Sequence, residues 1–108
     1  MSRELDIKVA EAMGCLEPPY ISTKVAVVWQ SVNVPYFSTD IAAAWQVVKW
    51  MITGKPWECY VEHQLNGWFC TFSHPGALPG KACALYAPEA ICLAFLRAMD
   101  IEWSGDAA

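Results

Sequence analysis

A chain of 108 residues fits one domain and leaves no room for a second hydrophobic core. With 56% hydrophobic and 17% charged residues, its composition is the opposite of a disordered segment. Seven Lys plus Arg against eleven Asp plus Glu give a net charge of -4, which excludes the basic footprint of a nucleic-acid binder and a polybasic membrane patch.

The spacing predicts a first helix over residues 2–13. Ser2 suits its N-cap, Glu4 and Asp6 suit its positive end, and Leu5, Val9, Ala12 and Met13 fall on one stripe. Gly14 stops it, and Pro18-Pro19 forces an extended break. Lys24–Trp29 is rich in β-branched residues and reads as a short strand, closed by a loop at Asn33–Pro35. A second helix is predicted over 39–53, with Ser38 as N-cap and Ile41, Ala44, Trp45, Val48 and Ile52 as its core stripe. Ala42, Ala43 and Val47 widen that stripe, and Gly54 and Pro56 end the helix. This apolar stretch is broken by Asp40, Gln46 and Lys49 and is too short to span a bilayer. The opening Met1-Ser2-Arg3-Glu4 has no signal-peptide pattern, so a soluble intracellular protein is expected.

Asn66-Gly67 is a strong hairpin signal between strands at 57–63 and 68–73. A type I′ turn at those two residues sets Leu65 opposite Trp68, His63 opposite Cys70, Val61 opposite Phe72 and Cys59 opposite His74. Trp57, Cys59, Val61, Leu65, Trp68, Cys70 and Phe72 then share the core face. Glu58, Tyr60, Glu62, Gln64, Phe69 and Thr71 share the other. A loop rich in Pro and Gly leads to a third strand at Lys81–Tyr86. Pro88 opens a last helix with Ile91, Ala94, Phe95, Ala98 and Met99 on its apolar stripe. Residues 104–108 are expected to form a flexible tail behind a single domain at 1–103. The order α-β-α-β-β-β-α implies an α+β fold in which a small antiparallel sheet packs between helices.

The run Tyr36-Phe37-Ser38-Thr39-Asp40-Ile41-Ala42-Ala43-Ala44-Trp45-Gln46-Val47-Val48 resembles the phage ABA-sandwich family. So do the Asn66-Gly67-Trp68 hairpin, Ala87-Pro88-Glu89-Ala90-Ile91-Cys92 and the opening Val9–Gly14. The resemblance spans roughly residues 5–99 and implies a helix/sheet/helix sandwich of bacteriophage or prophage origin. It implies no catalytic motif. Residues 15–35 depart from the family's pattern and are a place for a recognition surface peculiar to this protein.

Candidate chemistry is thin. Cys59, His63, Cys70 and His74 have zinc-like residue types, but on a regular hairpin they form two cross-strand pairs about 13 Å apart. One zinc needs every ligand at about 2.0–2.3 Å. The five cysteines (15, 59, 70, 83 and 92) contain no CxxC, and most of them read as small buried hydrophobes. A Cys70–His63 couple faces the core, where a thiol is inert, and Cys92 in the last helix reads as buried too. Glu58 and Glu62 point the same way but stand about 13 Å apart, beyond the roughly 9.5 Å limit of paired glycosidase carboxylates. No GxGxxG, P-loop, HExxH or GxSxG occurs. No catalytic residue, metal or cofactor is therefore expected.

Six tryptophans exceed what the core periodicity uses. Trp45, Trp57 and Trp68 fit the core, whereas Trp29, Trp50 and Trp103 fit it less well. Surplus aromatics anchor interfaces. The expected partner-binding set is Trp29, Tyr36, Phe37, Trp50, Glu58, Tyr60, Glu62 and Trp103. These point to a non-enzymatic binding protein acting in the host cytoplasm, of the kind that inhibits a bacterial defence system in anti-CRISPR fashion. Acidic residues would meet the basic surface of the host or defence protein, and the same aromatics allow self-association. The competing reading is a small-ligand or nucleotide-binding sequestering protein, with aromatics stacking a base and Lys24, Lys49, Lys55, Lys81 and Arg97 near phosphates.

Overall fold

The structure, a computed structural model, describes residues 3–14, 34–54 and 57–101. The expected strand at 24–29, the Ser2 cap, the 104–108 tail, Trp29 and Trp103 lie outside the described residues. Helix α1 spans Arg3–Ala12, α2 Ile41–Gly54 and α3 Ala87–Ala98. Strands β1 (Glu58–Gln64), β2 (Gly67–Ser73) and β3 (Gly80–Ala84) form an antiparallel sheet in the order β1-β2-β3. This is the expected α+β arrangement of helices layered on a small antiparallel sheet. α3 crosses β2 and β3, and α1 and α2 pack on α3.

The core joins all three helices to one sheet face. Leu5 and Val9 of α1, Val47 and Met51 of α2, Phe72 of β2, and Ile91 and Phe95 of α3 are fully buried, together with Phe37 ahead of α2. Burying a side chain of this size stabilises the fold by about 1.5–3 kcal/mol. The buried side chains of the sheet, Cys70, Phe72 and Ala82, share the face turned to α3. On the opposite face Glu58, Tyr60, Glu62, Phe69, Thr71, Lys81 and Cys83 all keep contact with solvent.

α2 sits rotated from its expected orientation. Ala43, Ala44, Val47, Val48 and Met51 are buried, while Ile41, Trp45 and Ile52 are each about half exposed. The stripe read from the sequence contained both apolar flanks of the helix, and only one of them meets α3. The cap differs too. The Asp40 carboxylate accepts the backbone N–H of Ala42 at 3.0 Å, whereas Ser38 lies buried in the preceding turn. The Ser38 N–H donates to the buried carboxylate of Asp6 at 2.8 Å, which ties α1 to the entry of α2.

The hairpin register differs from expectation by two residues. Gln64 pairs with Gly67, His63 with Trp68, Val61 with Cys70 and Cys59 with Phe72, so Leu65 and Asn66 make the turn. A two-residue slip keeps every side chain on its expected face. Leu65, now at the tip, is fully exposed instead of in the core. Gly67 stands in β2, paired with Gln64, rather than in the turn; its φ is +138°, and a Cβ there would stand 2.6 Å from the Ala84 carbonyl oxygen of β3. β3 also starts and ends earlier than expected, because Gly80 is the residue pressed against α3. A Cβ on Gly80 would collide with the backbone at Ala94 and Ala98. Pro88 stands at the second helical position, one later than expected, behind Tyr86 as N-cap.

Candidate functional site

Among the described residues, α2 carries three exposed large apolar side chains, Ile41, Trp45 and Ile52, on its outward flank. The helix periodicity that buries Ala44, Val47 and Met51 necessarily turns Ile41, Trp45 and Ile52 to solvent. With Ala42, Gln46, Val48, Lys49 and Thr53 around them, Trp45 and Ile52 line a shallow groove of about 540 Å³. A second hollow of about 470 Å³ is lined by Ile52, Trp57, Glu58, Cys59, Tyr60 and Ser73. Ile52 belongs to both, so the helix flank and the start of β1 make one continuous surface. Its middle is apolar and aromatic. Glu58 marks its acidic end, and Lys49 is a cation within it.

The expected partner-binding residues separate into three groups. Tyr36 and Tyr60 are both 59% exposed, Glu58 is exposed and Glu62 is half-buried on the same sheet face. Only Glu58 and Tyr60 of these line the surface just described. Phe37 and Trp50 are corrections. Phe37 is fully buried, and Trp50 packs edge-on against Phe95 at 5.8 Å between ring centres. Both read as surplus aromatics of an interface, but the turn at 37–39 points Phe37 inward and the rotation of α2 carries Trp50 towards α3. Trp45, assigned to the core by periodicity, is the tryptophan that α2 presents outward. Its signal in the sequence was an apolar stripe too wide for one buried face.

The cysteine–histidine couples do not form. His63 is exposed and its ring lies 4.8 Å from that of Trp68, while the His74 ring lies 5.1 Å from Trp57. Cys70, expected opposite His63, instead lies opposite Val61 and diagonal to Cys59 on the same sheet face. That contact holds the Cys59 thiol below its usual range, against the opposing effect of burial. The Cys70 thiol is pushed far up, first by the same contact and then by burial. Cys92 is also pushed far up, by burial and by the nearby carboxylates of Asp6 and Glu89. Cys92, buried and held protonated in this way, is not a nucleophile. Among the described residues, no three His, Cys, Asp or Glu side chains gather as a metal site, and no helix is long and apolar enough to cross a membrane.

Residues 7–96 match the family model of the phage ABA sandwich domain. A solved structure of a phage protein from Bacillus cereus is similar in fold, with a TM-score of 0.73 and 23% sequence identity, covering 96% of this chain and 93% of that chain. No curated protein matches this chain.

Proposed function

Since the chain belongs to the phage ABA sandwich domain family, we propose that it works as a non-catalytic binding protein that masks a protein of the bacterial host. The single observation behind this reading is the continuous surface running from Trp45 over Ile52 to Glu58 and Tyr60. A half-exposed tryptophan among aliphatic side chains is the composition of an interface hot spot. The acidic residues Glu58 and Glu62 suit a partner whose rim is basic, which is the character of an effector that handles nucleic acid. The target class we favour is therefore a defence protein of that kind, inhibited in anti-CRISPR fashion in the host cytoplasm. The test is phage plating on a host carrying a defined nucleic-acid-cleaving defence system. Expression of the wild-type chain should restore plating, and Trp45→Ala should abolish that effect while the chain remains folded. Equal rescue by both proteins, or by neither across a panel of such systems, overturns the reading.

One observation favours a second reading. Phe69, Thr71, Lys81 and Arg97 are among the residues lining a hollow of about 320 Å³ beside β2 and β3. Arg97 is fixed there by donating from Nη1 to the Lys81 carbonyl oxygen at 2.6 Å. An aromatic ring beside two cations is a place for a base and its phosphates. A saturable rise in melting temperature with a nucleotide, lost in Arg97→Ala, would support nucleotide sequestration over protein binding.

A further inference from the structure

We propose that Cys59 and Cys70 are a thiol pair that closes to a cross-strand disulfide by exchange with a small-molecule disulfide such as oxidised glutathione. The placement comes from the register. Cys59 pairs with Phe72 and Cys70 with Val61, so the two cysteines are diagonal neighbours on one face of adjacent strands. Each thiol is also the leading electrostatic influence on the other. Their access to solvent differs: Cys59 is half-buried at an outer strand of the described sheet, and Cys70 is buried beneath it. One thiol is placed to meet a reagent, and the other to resolve the product.

The exchange balances in two steps. The Cys59 thiolate attacks one sulfur of oxidised glutathione, forms a mixed disulfide and releases one glutathione thiolate, which takes a proton from water. Cys70 then loses its proton to solvent, attacks the Cys59 sulfur and expels the second glutathione. Two protein thiols are oxidised and one glutathione disulfide is reduced. Cys59 is the better first nucleophile, because its contact with Cys70 favours its thiolate. Once Cys59 carries glutathione, its negative charge is gone. That charge no longer opposes ionisation of Cys70, although burial still does.

Diagonal Cα atoms on antiparallel strands lie about 7–8 Å apart, whereas disulfides usually span about 4.4–6.8 Å. Closure therefore needs a small inward movement of β1, which an outer strand can supply. The bond it makes is strained and readily reduced.

The test uses the full folded chain in a Cys15→Ser, Cys83→Ser background, treated with oxidised glutathione in non-denaturing buffer. The expected result is a protein lighter by two hydrogens, a peptide linking Cys59 to Cys70, and full reversal by dithiothreitol. With Cys70→Ser added, a glutathione adduct should accumulate on Cys59. If that variant does not fold, the peptide map of the parent decides alone. A link involving Cys92, an adduct that stays on Cys59 with Cys70 still free, or no reaction at Cys59 would each overturn the proposal.

Discussion

Asp6 illustrates how little a single residue announces of its role. In the sequence it is an acidic residue in a first helical turn, where any carboxylate is favourable. In the structure it is buried, and it accepts the N–H of Ser38 from 32 positions away. Ser38 carries the opposite lesson, because it has the residue type of an N-cap while its neighbour Asp40 makes the cap bond. Replacing Asp6 with Ala leaves the buried Ser38 N–H without this acceptor, so urea unfolding should show a loss of about 1–3 kcal/mol. Asp6→Asn keeps an acceptor oxygen and should lose less. Equal stability of Asp6→Ala and wild type would show that the tie does not hold α1 in place. The misplacement of Phe37 and Trp50 has the same origin. Burial of one side chain depends on where its helix or turn is aimed, which is a long-range property.

At the scale of elements, the local signals served well. All three helices and all three hairpin-region strands lie within a few residues of their expected positions, because periodicity, Gly and Pro act locally. Close approach of one element to another is a different matter. Gly80 reads as part of a flexible connector, yet it is the point where β3 touches the backbone of α3. Gly80→Ala should lower stability by about 1–3 kcal/mol, the usual cost of overpacking, and a thermal melt measures it. An unchanged melting temperature would mean that β3 and α3 can separate without cost. Gly67 likewise reads as half of a turn and stands instead at the start of β2, as a spacer beside Ala84 of β3.

For the molecule as a whole, the balance of buried and exposed aromatics separates folding from binding. Phe95 is fully buried against the edge of Trp50, whereas Trp45 is 55% exposed. Phe95→Ala should therefore cost about 3–5 kcal/mol of stability, while Trp45→Ala should stay within about 0.5 kcal/mol of wild type. Chemical denaturation of the two variants checks this, and a large loss in Trp45→Ala would return that residue to a structural role. The chain's composition and periodicity by themselves determined an α+β fold, the hairpin, the alternation of its two faces and a poverty of catalytic motifs. Each of these depends on residues close together in the chain. Only the tertiary structure decided which flank of α2 is covered, that Phe37 and Trp50 point inward, and that Ile52 joins the helix surface to Glu58 and Tyr60. Those outcomes depend on how α1, α2 and the sheet pack around α3, and an apolar residue has the same local pattern whether a neighbour covers it or water does.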